Sequence, residues 1–112
     1  MKQTFHPVLT VSVTAAADLN DERRFVGVDG NLAAAGAKAL GTNNAAFAAG
    51  EQASVDAIGV ILVEAGGAMA AGVEVQSDAD GRAIELNGGA SNGWALDAAT
   101  AAGDVIRIVR GI

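Results

Sequence analysis

The residues that could perform acid–base catalysis are few and scattered. The chain holds one histidine, His6, and no cysteine. A histidine that acts as a general base needs a nucleophile and an orienting partner, and His6 stands on a short terminal segment. We interpret His6 as a solvated residue, and the catalytic inventory predicts that the protein is not an enzyme.

The segment Asp78-Ala79-Asp80-Gly81 shares three residues with a calcium-binding loop. Such a loop also needs a bidentate Glu at its twelfth position, and counted from Asp78 that position is Gly89. Aspartate side chains also bond to nearby backbone in tight turns, where glycine accepts a positive φ. The pattern therefore predicts a hairpin turn here and a second one at Asp29-Gly30, with both glycines at positive φ.

Patterns that bind common cofactors do not occur in the sequence. A phosphate-binding loop needs G-x-x-x-x-G-K-[ST], and the nearest segment, residues 30–39, has a different spacing and no hydroxyl. A swinging-arm cofactor needs a lysine in a tight turn between strands, whereas Lys2 and Lys38 are the only lysines. We expect no cofactor and no metal.

The single tryptophan, Trp94, follows an Asn/Gly-rich stretch, residues 87–93, that reads as a flexible loop. An aromatic ring beside such a loop could bind a sugar, which leaves open a small carbohydrate- or surface-binding module. A lone tryptophan among small residues is more commonly a buried anchor. We expect Trp94 to be such an anchor.

Net charge excludes several classes of partner. The chain carries a charge of −6 and has a pI near 4.4. A nucleic-acid groove needs clustered Lys and Arg, and an anionic membrane surface attracts basic segments. No apolar run approaches the ~20 residues of a membrane helix, and residues 1–7 lack the apolar region of a signal peptide. We expect no nucleic acid, no membrane, and synthesis in the cytoplasm.

The apolar residues of this chain offer little area for a core. They make up 51% of the sequence, but many are alanine, and aromatics are only 4%. A thin core often gains stability by association. The composition therefore favours a homo-oligomer.

The remaining elements must be strands. Residues 58–64 form an unbroken apolar run rich in β-branched residues, residues 73–76 alternate, and residues 8–14 alternate with Pro7 at their start. Gly-containing turns separate these stretches, and Asp97 could cap one helical turn. The sequence predicts a mainly β fold: a small single-domain β-barrel or sandwich of about seven to eight short strands with at most one short helical turn. Residues 1–7 would form an extended arm and residues 8–112 a single β domain.

An ordered series of segments resembles the head decoration, or capsid cement, proteins of tailed bacteriophages. The segments are Arg24-Phe25-Val26-Gly27-Val28-Asp29-Gly30, Gly59-Val60-Ile61-Leu62-Val63-Glu64, Ala71-Gly72-Val73-Glu74-Val75, Asp80-Gly81-Arg82-Ala83, Ala95-Leu96-Asp97-Ala98-Ala99 and Gly103-Asp104-Val105-Ile106-Arg107-Ile108-Val109. The resemblance covers nearly the whole chain. It implies a β-rich, often trimeric protein of the virion that binds the major capsid protein on the capsid exterior and stabilises the head, with no catalytic residues.

The arm is the candidate capsid-binding segment. Its residues are Lys2, Gln3, Thr4, Phe5, His6 and Pro7. Proline favours extended backbone at the preceding residue, and an extended arm can add to a sheet edge of a neighbour while an aromatic side chain fills a pocket. We expect this arm to be mobile in the free protein and ordered on the shell.

Overall fold

The computed structural model describes residues 5–111, and over these residues the chain folds into antiparallel strands without a helix. The strands are β1 His6–Thr14, β2 Phe25–Val26, β3 Gly41–Asn43, β4 Gln52–Glu64, β5 Val75–Ser77, β6 Ala83–Glu85, β7 Trp94–Ala95 and β8 Val105–Arg110. The predicted mainly β single domain of seven to eight strands is confirmed. No helix capable of crossing a membrane occurs between residues 5 and 111.

Six of the strands form one curled antiparallel sheet. Its order is β2-β3-β4-β8-β7, and β1 pairs with β4 outside this path. The hairpin of β5 and β6 forms a separate two-stranded sheet. Because β4 pairs with β1, β3 and β8, it positions every larger strand of the molecule.

Strand β4 runs from Gln52 to Glu64 and so begins well before the predicted apolar run, residues 58–64. It passes through Gly59, whose φ is +112°. A Cβ there would stand 2.5 Å from the His6 carbonyl oxygen, so only glycine fits this close approach. The register of β1 on β4 shifts beside this point. Such a bulge bends a strand without ending it, so β4 continues through Gly59 as one long strand.

Strand β1 begins at His6, two residues before the predicted start at residue 8. His6 lies opposite Val60 and Pro7 opposite Gly59. Proline is tolerated here because the register shifts between Pro7 and Leu9 and β1 pairs only with β4 among the described strands. Most of β1 is exposed to solvent, so it is an edge strand.

The core consists of two clusters of small and branched side chains. The larger cluster packs Phe25 against Ile61, Val63, Ile106 and Ile108, with alanines filling the remaining space. The smaller cluster gathers Ala15, Leu19, Val26, Ala53 and Val55 and is flanked by Val11, Val13, Leu40 and Phe47. Phe25 is the one aromatic side chain among the fully buried residues of the described chain. The core is thin for its length, as the composition predicts.

Both predicted turns have the expected glycine conformation. Gly30 and Gly81 have φ values of +84° and +76°. In the second turn, Asp78 Oδ1 accepts hydrogen bonds from the backbone N–H groups of Asp80 at 2.9 Å and Arg82 at 2.8 Å. The Asp78 carboxylate therefore closes the β5–β6 hairpin, and the turn prediction is confirmed.

Asp97 does not cap a helical turn. Its carboxylate accepts two hydrogen bonds from the Arg107 guanidinium, at 2.9 and 2.7 Å. The pairing of β7 with β8 places Leu96 opposite Arg107, so Asp97 follows one residue later, within reach of that guanidinium. The turn that follows is organised by Asp104, whose Oδ2 accepts from the N–H of Thr100 at 2.8 Å. Asp104, which follows the turn, therefore holds it through its carboxylate, whereas the sequence predicted that Asp97, which precedes the turn, would do so.

The loop of residues 87–93 is held by buried polar side chains. Gln76 Oε1 accepts from the N–H of Asn87 at 2.7 Å and of Gly89 at 2.9 Å. The buried side chain of Asn92 accepts from the Ala39 N–H at 2.9 Å and donates to the carbonyl of residue 37 at 3.0 Å. The Asn and Gly residues suggest a flexible loop, but they take part in these hydrogen bonds, which hold the loop in place.

Candidate interaction surface

The described part of the predicted arm packs on its own chain. The Arg23 guanidinium carbon lies 5.1 Å from the centre of the Phe5 ring, within the range of a cation–π interaction. His6 and Pro7 are exposed and belong to β1. Lys2, Gln3 and Thr4 lie outside the described residues.

Arg23 connects this aromatic ring to a buried carboxylate. Its Nη1 stands 3.6 Å from Oδ2 of Asp56, a residue of β4 that is 1% exposed. The Thr10 hydroxyl donates to Asp56 Oδ1 at 2.9 Å. Arg23 has a φ of +62°, unusual for a residue with a side chain, and its backbone N–H donates to the Asn43 carbonyl at 2.8 Å. The position of Phe5 therefore depends on a strained residue between strands.

A row of directly paired residues crosses the face of the sheet that points away from the core. Trp94 of β7 lies opposite Val109 of β8, Val109 opposite Val60 of β4, and Val60 opposite His6 of β1. Directly opposed residues of antiparallel strands present their side chains on the same face. We call this surface the outer sheet face and define it by Trp94, Leu96, Val105, Arg107, Val109, Val60 and Leu62.

Trp94 is on the surface rather than in the core. Its side chain is 60% exposed, whereas Ala95 beside it is 3% exposed. The alternation of β7 directs the alanine into the core, where Ile108 and Ile61 are its cross-strand neighbours. The expectation of a buried tryptophan anchor is wrong because propensity for burial does not decide which face of a strand a residue occupies.

Two groups of paired charges lie on the outer sheet face and at its end. Arg107 lies opposite Leu62 of β4 and forms the bidentate pair with Asp97. These hydrogen bonds raise the pKa of the Arg107 guanidinium above its usual value. At the end of the face, Glu64 accepts from Arg24 at 3.1 Å and lies 3.4 Å from Arg82. The face is largely apolar, but the exposed Glu74 lies directly opposite Trp94 and adds a negative charge that none of the described ion pairs neutralises.

No three His, Cys, Asp or Glu side chains of residues 5–111 are grouped so that they could hold a metal ion. The carboxylates with a lowered pKa, the exposed Asp29 and the half-buried Asp104, accept hydrogen bonds within their own turns. Two surfaces of the described chain could contact a partner: the edge of β1 and the outer sheet face.

Comparison with known proteins identifies the family of this chain. A family model described as phage cement protein matches residues 2–110. The chain belongs to the phage cement protein family. No curated protein matches the sequence. Among solved structures, the N base of the head fiber gp8.5 of bacteriophage phi29 has a TM-score of 0.74 at 17% identity, covering 92% of this chain and 93% of that one. At this identity the likeness shows a shared fold.

Membership in this family confirms the resemblance inferred from the ordered segments. The cement protein is a structural protein of the phage head that binds the capsid, and the carbohydrate-binding alternative is not favoured. Its place is the capsid of the virion.

Sequence reasoning overlooked the outer sheet face of this cement protein. In β8, Ile106 and Ile108 are buried, whereas Val105 and Val109 are 38% and 41% exposed. Valines at alternate positions of a strand, with Arg107 between them, were the available signal. The exposed face to which they belong can be recognised only when their pairing with Trp94 of β7 and Val60 of β4 is known.

Proposed function

We propose that this cement protein acts as a homotrimer that binds the major capsid protein on the outer surface of the phage head and stabilises the shell. We also propose that it has no enzymatic activity and is made in the cytoplasm of the host bacterium. The observation that carries the proposal is the family match over residues 2–110. A trimer can contact several capsid subunits, so individually weak contacts gain avidity.

Strand β1 supports a role for the N-terminal arm in capsid binding. Its sequence, His-Pro-Val-Leu-Thr-Val-Ser-Val-Thr, contains no Asp, Glu, Lys or Arg, although charged residues are what usually protect an edge strand from pairing with other chains. The exposed fractions of Val8 and Leu9 are 79% and 43%. An uncharged apolar edge suits the addition of an extended segment from a partner. We therefore retain the arm, Lys2 to Pro7, as the proposed capsid-binding segment.

Co-sedimentation with assembled capsids that lack the cement protein tests the proposal. We expect the full chain to pellet with the capsids and to raise the temperature at which they lose their contents. Removal of residues 2–5 should leave β1 paired, because the strand begins at His6, while capsid affinity falls at least about tenfold. A matched control, Val28→Ser on a distant loop, should bind as the unaltered chain does. Unchanged affinity of the truncated protein would place the contact elsewhere.

A further inference from the structure

We propose that Asn87 is a site of spontaneous deamidation, at which water converts the asparagine into aspartate or isoaspartate. The chain contains two Asn-Gly pairs, Asn87-Gly88 and Asn92-Gly93, in the same loop. A following glycine favours this reaction, because it has no side chain to hinder attack by its backbone nitrogen on the asparagine. The fold treats the two identical pairs differently: it leaves the first open to reaction and protects the second.

The reaction needs only these residues, water and hydroxide. Hydroxide removes the proton of the Gly88 N–H, and the nitrogen attacks Asn87 Cγ. A bond forms between these two atoms, the bond from Cγ to Nδ2 breaks, and Nδ2 takes a proton from water and leaves as ammonia. Water then opens the cyclic succinimide. Opening at Cγ gives aspartate, whereas opening at the backbone carbonyl carbon gives isoaspartate, whose main chain runs through Cβ and Cγ.

The first pair is free to react. Asn87 and Gly88 are both exposed, and a Cβ on Gly88 would meet nothing within 4 Å. The hydrogen bonds of this turn use the atoms on either side: Gln76 Oε1 accepts from the N–H of Asn87 at 2.7 Å and from that of Gly89 at 2.9 Å. Among residues 5–111, no hydrogen bond to protein holds the Asn87 side-chain amide or the Gly88 N–H. The attacking nitrogen and Cγ can therefore approach each other without breaking a contact.

The second pair lacks this freedom. Asn92 is 0% exposed. Its Oδ1 accepts from the Ala39 N–H at 2.9 Å, and its Nδ2 donates to the Ala37 carbonyl at 3.0 Å. Attack on Asn92 Cγ would require the side chain to break both bonds and water to reach a buried site. Reaction at Asn92 therefore waits for local opening of the fold.

The two products differ in their effect on the loop. Aspartate keeps the backbone and adds one negative charge to a chain of net charge −6. Isoaspartate lengthens the main chain directly before Gly88, beside Gly89, where a Cβ would stand 2.7 Å from Gly36 Cα and 2.8 Å from Gln76 Oε1. Because the backbone is packed so closely here, we expect isoaspartate to break the hydrogen bonds to Gln76 and to lower the melting temperature.

Peptide mass spectrometry tests the proposal. The folded chain and the chain in urea are kept at mildly alkaline pH until half of Asn87 has reacted in urea. In the folded chain we expect Asn87 to react at least about tenfold faster than Asn92, because only Asn92 needs local opening. In urea the two residues should react within about threefold of each other, because that protection is absent. Asn87→Gln is the control: its longer side chain closes a less favoured ring, so reaction at residue 87 should stop while that at Asn92 is unchanged.

Three results would overturn the site: equal rates at the two residues in the folded chain, faster reaction at Asn92, or no reaction at Asn87 in the folded chain over the period that converts half of it in urea. Asn87→Asp distinguishes added charge from the lengthened backbone. We expect the purified isoaspartate form to melt at a lower temperature than Asn87→Asp. Equal melting temperatures would overturn the expected effect of isoaspartate on the loop.

Discussion

At the scale of single residues, Arg110 illustrates how a polar group stabilises this small fold. It is 2% exposed, and its guanidinium donates to the backbone carbonyls of Ala39, Leu40 and Ala57, the last at 2.9 Å. Burial lowers the pKa of the guanidinium. The side chain of the last strand thus ties β4 to the segment that leads into β3, which the thin core alone would hold weakly.

Replacement of Arg110 by methionine should be strongly destabilising. The three carbonyls would lose their donor while remaining buried, so we expect a loss of about 3 kcal/mol or more in the free energy of unfolding measured by urea denaturation. Arg82→Met is the matched control, because Arg82 is half-buried at the surface and its ion pairs should contribute less than about 1 kcal/mol. Equal losses in the two variants would contradict this role of Arg110.

Two glycines with nearly the same φ allow the cost of backbone strain to be distinguished from the cost of a steric clash when each is replaced by alanine. Gly30 and Gly50 have φ values of +84° and +86°, but a Cβ on Gly30 would stand 2.0 Å from the Thr14 carbonyl oxygen and one on Gly50 would meet nothing within 4 Å. Gly50→Ala should cost about 1 kcal/mol from conformation alone. Gly30→Ala should cost at least about 1 kcal/mol more, because backbone must move. Thermal unfolding of both variants measures the difference, and equal melting temperatures would refute it.

At the scale of elements, short sequence patterns were sufficient to predict the turns, but they were insufficient to predict which strands pair. The β5–β6 hairpin follows from Asp78 to Gly81, because its hydrogen bonds join residues a few positions apart. The pairing of β1 with β4 joins residues such as Thr14 and Gln52, far apart in sequence. Neither the continuity of β4 through Gly59 nor the exposure of Trp94 could be predicted, since both depend on strands contributed by distant segments.

The turn before β8 should make stability depend on pH. Hydrogen bonds from the Thr100 N–H and hydroxyl and from the Ala101 N–H lower the pKa of Asp104 below its ordinary value of 3.8. A carboxyl whose pKa is lower when folded stabilises the protein above its unfolded pKa, and this contribution disappears as the pH falls through the folded pKa. Asp104→Asn should therefore be less stable than the unaltered chain near neutral pH and equally stable in strong acid.

Melting temperatures of both proteins across this acid range test the expectation. Asp97→Asn serves as the comparison, because that carboxylate is bonded to Arg107 rather than to a turn. A constant difference between Asp104→Asn and the unaltered chain at all pH values would show that the carboxylate charge is not responsible.

At the scale of the whole molecule, the two surfaces meet. The cross-strand row that starts at Trp94 ends at His6, which is also where the described part of the proposed capsid-binding arm enters β1. Association of copies beside this row would place the arms of neighbouring copies close together. Their effective concentration at the shell would rise accordingly.

Salt should strengthen association of the free protein. The molecule extends over 36 × 28 × 24 Å and carries a charge of −6. The screening length is about 30 Å at 0.01 M salt, comparable to the molecule, and about 10 Å at 0.1 M. Because all copies carry the same net charge, added salt reduces the repulsion between them. Sedimentation equilibrium at the two salt concentrations should therefore give a larger association constant at 0.1 M. A smaller one would mean that charge pairs between copies hold the trimer.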